Sequence, residues 1–162
     1  MAQAVFLELK SNGTAIDGES TVESMGRADM IECILYKDGV TTARDGQGQA
    51  TGLRQYDPII IEKRIDKSTP LLAKALRANE VIEAKFRFYR PNPAGDGTTE
   101  QYFTIEILEG RVSSIHRTVE NTLNPSSSEF PPFERIAFVF HTFTNIYETT
   151  GAMDTDNWRE QA

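Results

Sequence analysis

Helical spacing is written into one stretch of this chain, RIDKSTPLLAKALRANE at residues 64–80, and that restriction governs what the remainder can fold into. Leu71, Leu72, Ala75 and Leu76 recur there at intervals that make one apolar stripe, suited to lie on a sheet face or sheet edge. The ends are marked by local chemistry. Thr69 is suited to cap the N-terminus, and Pro70 to take the first helical position, where its missing N–H costs nothing. Lys74 and Arg77 lie towards the negative end of the dipole, and Asn79 can stop the helix in a left-handed conformation. The predicted helix therefore covers about residues 69–79.

Elsewhere apolar and polar residues alternate, which is the period of a half-buried strand. Strands are predicted over residues 5–10, 30–39, 58–65 and 81–90, over residues 100–117 with a bend at Gly110, and over residues 134–148 as the last. One short helix among many strands makes the class mostly β, an antiparallel β-barrel or sandwich with the helix beside it. The 162 residues, 39% of them hydrophobic, are the length of one domain with one core, so residues 1–162 are expected to form a single unit.

Three segments escape the alternation. Residues 40–52, VTTARDGQGQATG, contain little that could bury a face and read as a long protruding loop that exposes Arg44, Asp45, Gln47 and Gln49, with Gly46 and Gly48 letting it adapt. Residues 124–133, NPSSSEFPPF, read as an exposed connection, and the tail from residue 149 shows no period, with Trp158 as its anchor.

Composition removes several functions. The formal charge of −7 comes from 24 acidic against 17 basic residues with no basic block, so nucleic acid is not an expected partner. Apolar runs such as IAFVF are too short to span a bilayer, and no charged leader with an apolar stretch opens the sequence, so the cytoplasm is the expected starting place, with no signal peptide expected. Cys33, the single cysteine, reads as a core thiol, and His116 and His141 lack companions at metal-ligand spacing. GQG in the loop lacks the Lys-Ser/Thr of a phosphate cradle, and SSS is a linker rather than a nucleophile elbow. Glu8, Glu32, Glu62, Glu83 and Glu106 sit mid-strand, where two of them could act as the acid and base of a glycoside hydrolase. Lys10, Arg64, Lys85 and Arg87 share those faces, so a solvated wall of cross-strand charge pairs accounts for the pattern better. No catalytic, metal-binding or cofactor-binding residue is expected, and the chain reads as a non-enzyme.

As a set, the motifs match one family. Ile65-Asp66-Lys67-Ser68-Thr69-Pro70-Leu71-Leu72 entering from a strand, Gly18-Glu19-Ser20 after the first strand, the Gly-rich loop before the third, FRFYR after the helix, and YFTIEILEGRVSSI with a final strand and a terminal Trp resemble the Hcp family (haemolysin-coregulated protein), the tube protein of type VI secretion systems. The resemblance covers nearly the whole chain. It implies a compact β-barrel of two antiparallel sheets with one flanking helix, and hexameric rings of the protein stacked into a hollow tube. It further implies a contractile sheath that drives the tube, a spike protein at its tip, effector proteins in its lumen, and export from the cytoplasm without a signal peptide. The loop carrying Arg44, Asp45, Gly46, Gln47, Gly48 and Gln49 would stack ring on ring, and Thr118, Glu120 and Asn121 would reach the lumen. The alternatives are a tail-tube protein of a contractile phage or related injection particle, and a monomeric β-sandwich ligand-binding module.

Overall fold

The computed structural model describes residues 3–158. In chain order it forms β1 (Ala4–Ser11), β2 (Thr14–Ile16), a 3-10 turn (Ser24–Gly26), β3 (Ile31–Lys37), β4 (Val40–Thr41), β5 (Gln55–Tyr56), β6 (Ile59–Arg64), α1 (Thr69–Arg77), β7 (Ile82–Pro91), β8 (Thr99–Thr118), β9 (Phe133–Val139), β10 (Thr142–Tyr147) and β11 (Ala152–Asn157). The mostly-β expectation holds, with α1 the one α-helix among the described residues.

Nine of the strands join in one antiparallel sheet, and β4 and β5 form a second sheet of two strands, so the wall expected as two sheets is one continuous sheet. Long strand β8 explains how. Its first half pairs with β7 on one edge and β10 on the other, and its second half leaves β7 and pairs with β9. The circuit β8–β7–β1–β3–β6–β9 thereby closes on β8, while β11 extends the sheet beyond β10. The switch of partner falls at the bend expected near Gly110: Glu109 adopts φ +53, and a Cβ on Gly110 would stand 3.1 Å from the backbone oxygens of Ile82 and Val139. A side chain there would crowd both neighbouring strands, which is why a glycine suits the junction.

Alternation sets the core. Leu7, Leu9, Ile59, Ile61, Ile136 and Phe138 point inward from β1, β6 and β9, and the Phe86 and Phe138 rings meet 6.0 Å apart. Cys33 joins them as a buried residue, and burial pushes its thiol up to about 12.

The helix departs from expectation at two points. Leu72 and Ala75 are buried, whereas Leu71 and Leu76 stay exposed, because the barrel wall covers a narrower strip than the stripe offers. The cap position belongs to Ser68, not Thr69, and no side chain caps from there. Asp66 supplies the missing acceptors: its Oδ1 takes the Ser68 N–H at 2.9 Å, and its carbonyl takes the Thr69 N–H at 3.1 Å. Pro70 does occupy the first turn. Asn79 ends the helix in the left-handed region, with the Glu80 and Asn79 N–H groups returning to the carbonyls of Ala75 and Leu76.

Two further expectations are revised. The last strand is broken at residues 140–141 into β9 and β10, since one segment cannot pair with both halves of a bent β8. The tail, aperiodic in sequence, pairs with β10 as β11; five of the six residues of β11 are polar or small, which suits an edge strand with little to bury.

Candidate functional site

The segment expected as a loop is an ordered hairpin arm. At its base β4 pairs with β5, Val40 opposite Tyr56, and the Asp57 N–H donates to the Gly39 carbonyl at 2.9 Å. The pairing continues outward through Thr51 N–H to Ala43 O and a bridge between Arg44 and Ala50. At the tip Asp45 organises the turn, its Oδ1 accepting the N–H groups of Gln47 at 2.9 Å and Gln49 at 3.0 Å. The Arg44 guanidinium donates to the Gly48 carbonyl at 3.0 Å, and Gly48 has the φ of +87 that the turn requires. Arg44, Asp45, Gly46, Gln47, Gly48 and Gln49 are all exposed, as expected, but on a preformed turn rather than an adaptable loop.

A clamp fixes the base of the arm to the barrel. The Arg54 guanidinium meets the Asp156 carboxylate of β11 through two contacts of 2.6 Å, and the Tyr56 hydroxyl donates to the same carboxylate at 2.8 Å. Hydrogen bonding from Arg54 holds the Asp156 carboxyl below the usual carboxylate range. Burial, then the Asp156 contact, pushes the Tyr56 phenol up to about 12. The Tyr56 ring packs against Phe140, Phe143 and Trp158 at centroid distances of 5.5, 5.2 and 5.6 Å, and the Trp158 indole N–H donates to the Phe140 carbonyl at 2.7 Å. Trp158 thus anchors the tail as expected. Sequence reasoning missed Arg54, Tyr56 and Asp156, because partners about a hundred residues apart leave no local signal.

At the opposite end of β6 lies a buried ionic network, also missed. The Lys63 ammonium contacts Glu134 Oε1 at 2.6 Å, Asp66 Oδ1 at 2.9 Å and the Arg64 carbonyl at 3.1 Å. The Thr69 hydroxyl donates to Glu134 Oε1 at 2.7 Å and accepts from Lys63 at 3.3 Å and from the Asp66 N–H at 3.2 Å. Arg117 of β8 reaches the second Glu134 oxygen at 3.1 Å. The network ties β6, α1, β8 and β9 together, and in it the Thr69 side chain is a buried bridge rather than a cap. A signal was present in the sequence: Lys63 shares the parity of Ile59 and Ile61, and Glu134 that of Ile136 and Phe138, which is the inward phase of each strand.

The outer wall carries the paired charges expected of it. Glu8, Lys85 and Glu106 stand side by side across β1, β7 and β8, and Lys10 faces Glu83. Arg87 contacts Glu8 at 2.5 Å, Arg135 contacts Glu62 at 2.5 Å, and Arg64 lies 3.5 Å from Glu32. Lys85 stands between the carboxylates of Glu8 and Glu106 in the register. Among the described residues no cluster of three or more His, Cys, Asp or Glu is placed to hold a metal ion.

Thr118 ends β8 opposite Phe133, Glu120 is half-buried, and Asn121 is exposed, its side-chain oxygen accepting the Leu123 N–H at 2.9 Å. The three sit together at the end of β8 and β9 remote from the arm.

A family model described as "Type VI secretion system effector, Hcp" matches residues 6–147. The major exported protein of Pseudomonas aeruginosa is 31% identical over 136 residues, which cover 83% of this chain and 78% of that one. Among solved structures, one described as Hcp protein superposes with a TM-score of 0.85 at 23% identity, covering 99% of this chain and 100% of its own. Hcp1 from E. coli EAEC 042 pathovar gives 0.81 at 24% identity, covering 97% and 99%.

Proposed function

Since the chain belongs to the Hcp family of type VI secretion, we propose that it is the structural subunit of the inner tube, assembling as hexameric rings that stack head to tail around a hollow lumen. Hcp is a family of secreted, structural tube proteins and not of enzymes. The observation that carries the reading here is the arm: an ordered, exposed hairpin clamped at its base is a device for touching something outside its own subunit. Closed rings need two unlike faces that meet by rotation, and stacked rings need unlike ends. The charged outer strands of β1, β7 and β8 suit a water-filled channel, because they offer passing cargo no apolar surface to adhere to.

In this reading Arg44 to Gln49 touch the next ring, and Thr118, Glu120 and Asn121 reach the lumen, where effector proteins are held. A contractile sheath surrounds the tube and a spike protein closes its tip. The protein waits in the cytoplasm and leaves with the tube when the sheath contracts. Among the described residues no helix is long and apolar enough to cross a membrane. Negative-stain microscopy and mass photometry of the purified protein test the proposal together. Rings with a central hole, at a hexamer's multiple of 18.2 kDa, are expected. A monomer at micromolar concentration overturns it in favour of a β-sandwich binding module.

A further inference from the structure

We infer that the connection between β8 and β9, residues 119–132, is the surface that receives the hairpin arm of a second copy of this chain, through the exposed side chains of Leu123 and Phe130. The inference rests on the tube reading and adds to it the identity of the receiving surface.

Strand register places the two segments at opposite ends of the subunit. Ile59, where the arm returns to the barrel, pairs with Phe138 near the end of β9, and Arg64, at the other end of β6, pairs with Phe133 at its start. Thr118, from which the connection departs, also pairs with Phe133. The six residues of β6 span roughly 20 Å, so arm and connection are separated by the height of the wall. A head-to-tail contact brings the arm end of one copy against the connection end of the next.

The connection is built to present apolar groups rather than to hide them. Its polar groups are bonded within the segment: Asn124 N–H and Ser127 Oγ donate to the Asn121 carbonyl at 3.2 and 3.0 Å, Ser128 N–H donates to the Asn124 carbonyl at 2.9 Å, and Ser126 N–H donates to the Asn124 side chain at 3.1 Å. Leu123 nevertheless stands 91% exposed and Phe130 60% exposed, beside an exposed Val119. Large apolar side chains held outward by a segment ordered through its own bonds mark a surface that is covered in the assembled state. The arm offers the counterpart, since Leu53 is 60% and Val40 52% exposed. Residues 121–132 carry Glu129 and no cation, and the arm between residues 43 and 52 carries Arg44 beside Asp45, so no excess of like charge opposes the contact. Both partners are ordered before they meet, so docking loses little conformational entropy.

Cysteine pairs read the contact directly. In a Cys33→Ser background, Gln47→Cys combined with Leu123→Cys should give, on mild oxidation, a ladder of disulfide-linked subunits longer than one ring, whereas either cysteine alone should give none. Separately, Leu123→Ser with Phe130→Ser should leave melting temperature and rings unchanged while lowering the stacked fraction at least tenfold. Stacked rings that form normally in the serine variant, or a Gln47→Cys variant that cross-links to itself, overturn the assignment of the receiving surface and leave the tube reading standing. A parent protein that forms no rings at all overturns both.

Discussion

Lys63 and Glu134 are register partners on β6 and β9, both fully buried, with ammonium and carboxylate 2.6 Å apart inside an otherwise apolar barrel. Such a pair is marginal in net energy, because desolvation offsets attraction, yet removing one member strands the other. Glu134→Gln or Lys63→Met should each destabilise the subunit by about 3–5 kcal/mol. The paired change Lys63→Met with Glu134→Leu should recover most of that loss. Urea unfolding checks this, and single variants within 1 kcal/mol of the parent would show that water reaches the site.

Thr69 bridges the same network, which alters what its replacement does. Thr69→Ser keeps the hydroxyl that binds Glu134, Lys63 and the Asp66 N–H, and should stay close to the parent. Thr69→Ala leaves those partners short of a hydrogen bond and should cost about 1–3 kcal/mol. Asp66→Ala, which removes the acceptor for the Ser68 N–H and a Lys63 contact, should cost more than the roughly 1 kcal/mol of an ordinary cap loss. Rings should persist at low temperature in the first two, as gel filtration can show.

The clamp at the arm base has a defined pH response. Asp156 is held below its unfolded value of about 3.9, so its contribution is complete above that value and fades as pH falls through the depressed one. The arm should therefore stay anchored at neutral and mildly acidic pH and loosen only below about pH 4. Trp158, the single tryptophan, lies 5.6 Å from Tyr56 and reports this through its fluorescence. Asp156→Asn should show the loosened signal at pH 7, and a parent-like spectrum for that variant would refute the clamp.

Shortening the arm separates stacking from ring closure. Replacing residues 43–50 with a short Gly-Ser turn removes the Asp45-centred tip and leaves the β4–β5 base and the Arg54 clamp intact. Hexamers of unchanged melting temperature are expected, with tubes and export lost, because weak contacts repeated around a ring act together. Electron micrographs showing tubes of normal length would exclude a stacking role.

Glu120→Lys tests the lumen assignment. Tubes should form normally, and retention of cargo proteins in co-purification should change by several-fold. A thiol-reactive label on a cysteine at this position that is fully accessible from outside intact tubes would place the segment on the outer wall instead.

What the sequence determined by itself was local. Alternation told which residues of β1, β6 and β9 turn inward, and its phase held even for Lys63 and Glu134, whose charge disguised their position. The Pro70 start and the left-handed Asn79 stop of α1 are likewise properties of a few neighbouring residues. Tertiary structure decided everything that depends on partners. A period of two reports the face of a residue but not the strand opposite, so nothing in the chain near Thr69 said that its hydroxyl would meet Glu134. The same limit hid the clamp between Arg54 and Asp156, and the pairing that turned an aperiodic tail into β11. It also hid the change of partner along β8, which rests on the positive φ of Glu109 and on Gly110, where an added Cβ would stand 3.1 Å from the backbone of two other strands. Register and closure are set when distant segments pack into one core, and the sequence of each segment alone carries only half of that information.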